Sequence, residues 1–235
     1  MINSKSVLAI IPARGGSKRL PHKNILDFAG KPLITWTIMS AKNSRYIDNI
    51  IVSSDKNKIL ALAKSMGVDV VKRPEELSRD ETTSFDVVKH AIDNIKRHDY
   101  IILLQPTSPL RTSQHIDESI GFLVEKEADA VISVCEVEHS PLWMNVLGDD
   151  CSMNHFLSQD IKNKRSQDLR QYFRLNGAIY ISNIDALLKE GGFFIRDKIY
   201  AYIMKSADSI DIDNIVDFKV AEQMYFLSRS DNKDD

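Results

Sequence analysis

The chain has 235 residues, enough to bury a sizeable core, and suits one large domain or one domain with a smaller insertion. Hydrophobic residues make up 43% and charged residues 27%, while a net charge of −2 argues against a protein that coats nucleic acid, which would be basic overall. No apolar run approaches the roughly 20 residues that span a bilayer, no export-type cleavage pattern follows the opening residues, and two cysteines without a Cys-x-x-Cys spacing fit a reducing compartment. The composition therefore points to a soluble cytoplasmic protein with neither membrane nor nucleic acid as partner.

The first predicted strand, Ser6–Ile11, runs into "IPARGGSKRLPHKN", where Arg14, Lys18, Arg19 and Lys23 crowd beside Gly15 and Gly16. Four cations so close repel one another unless an anion sits among them. The glycines permit close approach and unusual backbone angles, and successive N–H groups can form an anion nest. A basic turn facing water is the simpler alternative, and Arg19 reads as a solvent-facing charge. The loop is neither a Walker A nor a G-x-G-x-x-G motif.

Ile50–Ser53 is the next strand, after which Asp55 can cap a helix that stops at Gly67. Val68–Val71 follows, then "RPEELSRDETTS", where Thr83 or Ser84 can cap another helix whose free N–H groups suit a polar ligand. Tyr100–Leu104 ends in "LLQPTSPLR". Gln105, Thr107 and Ser108 there offer uncharged hydrogen-bonding groups for a base or sugar, or simply make a strand-to-helix turn before a cap at Thr112 or Ser113. Several strands lack in/out alternation, as in a parallel sheet covered on both faces. Strand-helix alternation gives an α/β doubly wound, Rossmann-type fold, in which ligands bind at the carboxyl edge of the sheet.

After Ala130–Val134 the pattern breaks into a polar, irregular insertion at about 138–172, which reads as a lid, substrate wall or dimer arm. "LNGAIYIS" resumes as a strand, Asn183 can cap the next helix, and Gly191–Gly192 stop it. In "DSIDIDNIVDF", Asp211 and Asp213 are two residues apart and share one face of an extended segment. Two such carboxylates suit Mg²⁺, which takes one or two and leaves its other positions to water and phosphate, whereas capping by Asp213 or Asn214 would explain only one aspartate. A last helix covers about 214–227, with Ile215, Phe218, Ala221 and Tyr225 inward, and a disordered tail follows at 229–235. A single domain thus spans 1–228. The six histidines show no metal-site spacing and no serine sits in a nucleophile elbow.

Together, "IPARGGSKRLPHKN", "GKPLITWTI", "IIVSSD", "LLQPTSPLR", "FRLNGAIYIS" and "DSIDID" resemble the acylneuraminate cytidylyltransferases, also called CMP-sialic acid synthetases, in that order from residue 10 to about 218. The resemblance implies a nucleotide-diphospho-sugar transferase-like fold and transfer of CMP from CTP to the anomeric hydroxyl of a nine-carbon 2-keto sugar acid. Pyrophosphate is released, Mg²⁺ is required, and the enzymes are usually homodimers whose arm reaches the neighbouring subunit. It implies that Arg14, Ser17, Lys18, Lys23 and Asn24 bind the triphosphate and cytidine, and that Arg73 and Ser84 read the cytosine and ribose. By the same resemblance Gln105, Thr107 and Ser108 hold the sugar acid near the nucleotide. Arg165, Arg174, Asn176, Tyr180, Phe193 and Phe194 look like its carboxylate, acyl and tail contacts, and Asp211 and Asp213 like the metal ligands. Arg14, Lys18, Lys23 and Asp211 are the groups implied to carry catalysis.

Relatives tend to carry proline where this chain has Arg170, which bears on the path of the arm and the contact at Arg165. The strand "RLNGAIYI" resembles the neuraminate and legionaminate branch, ahead of pseudaminate and of the eight-carbon acid KDO. A non-catalytic nucleotide-sugar-binding protein on the same fold is the alternative from a different class, against which the intact aspartates and loop cations speak.

Overall fold

The computed structural model describes residues 1–230. Seven elements of the first half alternate as the sequence suggests: β1 (Val7–Pro12), α1 (Leu33–Lys42), β4 (Asn49–Ser54), α2 (Asn57–Ser65), β5 (Asp69–Lys72), α3 (Ser84–Ile92) and β6 (Tyr100–Leu103), with a short hairpin of β2 (Asp27–Phe28) and β3 (Lys31–Pro32) before α1. The second half adds α4 (Ser113–Glu125), β7 (Ala130–Glu136), β8 (Phe173–Asn183), α5 (Ile184–Glu190), β9 (Ile199–Ile203) and α6 (Ile215–Ser230). The seven-stranded sheet has the order β5-β4-β1-β6-β8-β7-β9. Only β8 runs against its neighbours β6 and β7, while the other adjacent pairs are parallel.

Burial explains why the central strands lack alternation. In β1, Val7, Ala9 and Ile11 pack into a cluster on one face of the sheet, and Leu8 and Ile10 into a second cluster on the other. All five are at most 1% exposed. A strand covered on both faces has no reason to alternate polar with apolar.

The chain winds outward from β1 through β4 to β5 and then returns to place β6 on the other side of β1. That reversal is a topological switch point, and the loops leaving the carboxyl ends of β1 and β6 splay apart there to leave a crevice. They are the cationic loop and the Gln105–Arg111 turn.

β8 is irregular where it passes the crevice. Its register against β7 shifts between Ile132 and Val134, and Gly177 opposite this irregularity adopts φ +73. A Cβ on Gly177 would be strained by that angle and would meet Oδ2 of Asp211 and Oε1 of Gln105, each at 3.4 Å. Here the bulge aims backbone rather than side chain at two polar groups.

The caps follow the sequence with one exception. Thr83, Thr112 and Asn183 accept hydrogen bonds from backbone N–H groups of the first turns of α3, α4 and α5. Asp55 does not cap α2, whose N-cap is Lys56.

In α6, Phe218 and Ala221 are buried and Tyr225 is half-buried, as their spacing predicts, but Ile215 is 53% exposed because it stands in the first turn, before the helix reaches the core. The helix continues to Ser230, and residues 231–235 of the predicted tail lie outside the described residues.

The insertion between β7 and β8 forms two short 3-10 turns, Pro141–Trp143 and Ser166–Asp168, in otherwise irregular backbone. Leu169 is extended at φ −93 and ψ 154, the conformation a following proline would impose, so Arg170 leaves that path open without one.

α6 is fastened by an aromatic cluster. Phe28, fully buried, meets Phe218 edge-on at 5.4 Å, Tyr225 at 6.0 Å and Trp36 at 6.3 Å between ring centroids. Trp36 Nε1 donates to the Phe28 carbonyl and the Ala29 N–H donates to Glu222. We expect Phe28→Ala to cost about 3–5 kcal/mol in denaturant unfolding, the range for emptying a large aromatic site. A loss below about 1 kcal/mol would show that α6 is held by something else.

Candidate functional site

The loop after β1 is held at its first glycine, whose N–H donates to Oδ1 of Asp55 at 2.8 Å. Asp55 directly follows β4, so parallel pairing of β1 with β4 brings its carboxylate beside the loop. One oxygen of that carboxylate accepts the loop N–H while the other pairs with Lys56 Nζ at 3.2 Å, and this contact stands where the sequence predicts a helix cap. Neither Gly15 nor Gly16 adopts a positive φ, so unusual backbone angles are not what these glycines supply. Close approach is: a Cβ on Gly15 would come within 2.1 Å of the Lys56 side chain lying across it. Farther along, Asn24 donates from Nδ2 to the Arg14 carbonyl at 2.9 Å and ties the two ends of the loop together.

Two aspartates balance the four cations. Arg14 Nη1 lies 2.8 Å from Oδ1 of Asp80, and Lys18 Nζ pairs with the other oxygen of the same carboxylate. Arg19, read from sequence as a spare solvent-facing charge, instead pairs with Asp213 at 2.9 Å. Lys23 Nζ donates to the Ile212 carbonyl and lies 3.6 Å from Asp213. Burial lowers the Lys23 ammonium below the usual lysine range, with Asp213 and Asp211 pulling it back up.

The aspartate segment is held to the rest of the site by its backbone. Ile212 is fully buried, and its N–H donates to the Thr107 carbonyl at 2.8 Å. Asp211 and Asp213, on either side, are thereby directed outward on one face, as an extended segment requires. Asn214 accepts from the N–H groups of Val216 and Asp217 at the start of α6, so neither aspartate is needed as a cap. Asp211 is open to solvent on one side, yet it sits against Gly177 and Gln105, where lost hydration raises its carboxyl above the ordinary range. The Thr107 hydroxyl opposes that rise, and the Asp213 charge adds to it.

A cavity of about 580 Å³ opens between these elements. It gathers Arg14, Ser17, Lys18, Lys23, Asn24, Arg73, Ser84, Gln105, Thr107 and Asp213, with Arg19 and Asp80 at its wall. Arg73 is 4% exposed and anchored through Nε to the Ser53 hydroxyl and through Nη2 to the Ser53 carbonyl. Burial pulls its guanidinium down to about 10, so it stays charged at neutral pH. Asp211 and Asp213 supply hard carboxylate oxygens, with the Gln105 amide oxygen against the same glycine as Asp211. Among the described residues no group of three or more His, Cys, Asp or Glu is arranged around a metal. Two carboxylates with an amide oxygen nearby are hard-oxygen donors of the kind that suit Mg²⁺, which takes one or two carboxylates.

The other predicted residues stand apart from this cavity. Ser108 is fully buried, and its hydroxyl has no partner among the described residues. Asn176 is 1% exposed: its Oδ1 accepts from the Ser133 hydroxyl at 2.6 Å and its Nδ2 donates to Ser209 Oγ at 2.9 Å. To touch a sugar it would first have to give these up. Arg174 forms a two-toothed pair with Glu138, and Arg165 lies on the exposed insertion. Phe193 packs in the core against Tyr180 at 5.6 Å, whereas Phe194 is 64% exposed.

Three residues at the site carry no binding or catalytic role in the sequence reading. Asp55 fits a helix-cap pattern equally well, and Asp80 is one of several acids in a polar stretch. Arg111, the last residue of "LLQPTSPLR", is 2% exposed and donates from Nη1 to the carbonyls of Gln105 and Ala178. Burial alone lowers its guanidinium to about 9. It links the Gln105 turn to β8, and only its place at the end of that segment hints at this.

The sequence profile of the family described as Cytidylyltransferase matches residues 8–230. An N-acylneuraminate cytidylyltransferase of Streptococcus agalactiae serotype V is 40% identical over 90% of this chain and 51% of its own length. A CMP-N,N'-diacetyllegionaminic acid synthase of Legionella pneumophila is 32% identical over 95% of this chain and 97% of its own length. The chain thus spans about half the length of the first of these relatives and nearly all of the second. A solved structure of CMP:2-keto-3-deoxy-manno-octonic acid synthetase complexed with CTP superposes with a TM-score of 0.72 at 15% identity, covering 95% of this chain and 99% of that one, a likeness of fold. With the profile spanning nearly the whole chain and a full-length relative above 30% identity, this chain belongs to the cytidylyltransferase family.

Proposed function

We propose that the protein transfers CMP from CTP to the anomeric hydroxyl of a nine-carbon 2-keto sugar acid of neuraminate or legionaminate type, releasing pyrophosphate. The observation that carries this reading is the meeting, across one cavity, of the loop cations with Asp213, while Asp211, two residues before it, lies close enough for its charge to act on Lys23. Nucleotidyl transfer asks little covalent chemistry of a protein; it asks for positioning and for neutralisation of charge around the attacked phosphorus.

Arg14, Lys18 and Lys23 bind the triphosphate and take up charge as it moves onto the leaving pyrophosphate. Arg73 and Ser84, on the far wall of the same cavity, face the cytidine, and Gln105 and Thr107 hold the sugar acid near the α-phosphate. Asp211 and Asp213 would hold Mg²⁺, which when bound offsets phosphate charge and acidifies a coordinated hydroxyl. Among the described residues that line the cavity there is no histidine or glutamate; we assign the reaction no dedicated side-chain base of those types.

We place the activity in the cytoplasm, where CTP is made. Cys135 and Cys151 are both free, and no described helix is long and apolar enough to cross a membrane. The insertion at about 138–172 is the proposed dimer arm, with Val146 90% exposed and Met153 63% exposed. A second copy covering that face is the reason such side chains would be tolerated in water.

Pyrophosphate release from CTP with each candidate sugar acid tests the activity. We expect Mg²⁺-dependent release with a neuraminate or legionaminate substrate, the acid turned over fastest naming the substrate. Asp211→Ala should cut turnover at least about 100-fold while leaving thermal unfolding unchanged, as for the loss of one preorganised charge-stabilising group. No release with any acid, or near-normal turnover in that variant, would contradict the assignment. For the arm, sedimentation should show a dimer that Val146→Asp shifts toward monomer, and an unaltered dimer in that variant would move the interface elsewhere.

A further inference from the structure

The cationic loop already holds an anion, and it belongs to the chain. Asp80 places one carboxylate oxygen 2.8 Å from Arg14 Nη1 and the other on Lys18 Nζ, inside the cavity wall. Arg14 also donates to the carbonyl of Arg79, so the segment between β5 and α3 is attached to the loop at two consecutive residues. That segment is a short 3-10 turn, Glu75–Ser78, followed by irregular residues up to the Thr83 cap of α3. Its ends are fixed, by burial of Arg73 at one side and by the capping box at the other.

We propose that Asp80 is an internal competitor for the phosphate groups of the nucleotide: it occupies Arg14 and Lys18 in the empty site, must leave when a triphosphate enters, and returns as pyrophosphate departs. The proposal rests on the triphosphate reading of the loop. Charge matching favours exchange over coexistence. A bidentate carboxylate and a phosphate oxygen seek the same N–H groups, and a carboxylate left among phosphates would be repelled. The pairs are cheap to open, since Asp80, Arg14 and Lys18 are 39%, 37% and 83% exposed and water screens them. Lys23 differs: its side chain is only 11% exposed and its hydrogen bond goes to the Ile212 carbonyl, so it is held in place whether or not the site is filled.

Calorimetric titration of inorganic tripolyphosphate, of CTP, of ATP and GTP, and of cytidine into the intact protein and into Asp80→Asn tests this. The asparagine keeps the side-chain shape and removes the competing charge. Tripolyphosphate and CTP should each bind about threefold to tenfold more tightly to the variant, as expected for the loss of two exposed ion pairs, while cytidine binding stays unchanged. Glu81→Gln, an exposed neighbouring acid, should give a smaller change. Tripolyphosphate binding that is unchanged or weaker in Asp80→Asn overturns the proposal and makes Asp80 a group that positions Arg14. An equal gain for cytidine also overturns it, because the effect would then come from opening the segment rather than from freed charge. If tripolyphosphate tightens but CTP is bound no better than other nucleoside triphosphates, the competitor role stands and the cytidylyl reading fails.

Discussion

Everything at the site depends on how the backbone of Ile212 is held. Its side chain is buried, its N–H bonds the Thr107 carbonyl, and its carbonyl accepts from Lys23. Those three constraints join residues from the first loop, the turn after β6 and the segment before α6, which are far apart in the chain. They also settle where the two flanking aspartates point. A carboxylate pair could be placed by its own side-chain hydrogen bonds, but those are the very oxygens a metal needs. Fixing the backbone between them sets their direction independently of those oxygens, which in this structure pair with Arg19 and Lys23 at Asp213 and with the Thr107 hydroxyl at Asp211.

The charge pattern follows from this arrangement. Lys23 is nearly buried, and burial lowers its ammonium below the usual lysine range while Asp213 and Asp211 act in the opposite direction. Arg14 and Lys18 sit farther out, where water screens them and their partner can be exchanged. The site therefore has a fixed inner cation and exchangeable outer ones. The aromatic cluster around Phe28 gives the frame, since α6 begins just after Asp213 and is fastened to the hairpin that follows the loop.

The sheet was legible because buried parallel strands have a continuous apolar signature, the loop cations, Gln105 and Thr107 because they follow the ends of β1 and β6, and the aspartates because their spacing of two puts them on one face of an extended segment. What failed did so for local reasons. Asp55 reads as a cap from its spacing alone, yet its carboxylate finds a loop N–H on the neighbouring strand's connection, a pairing no local pattern reveals. Arg19 looks surplus until α6 brings Asp213 to it from 194 residues away. Ile215 fits the helical stripe but lies one turn too early to reach the core. Asn176 is a different case: the family resemblance links its strand to the sugar, and in this structure its amide bonds Ser133 and Ser209 at the irregularity in β8.

The central claim is that phosphates and metal meet between the first loop and the Asp211–Asp213 segment. A crystal structure of the protein with CTP and Mn²⁺, read by the anomalous signal of manganese, tests it most directly. The account predicts a metal peak bounded by the carboxylates of Asp211 and Asp213, with phosphate oxygens on Arg14 and Lys23. A nucleotide in another cavity, such as the one beside Trp36 and Tyr225, or a metal away from both aspartates, would contradict it.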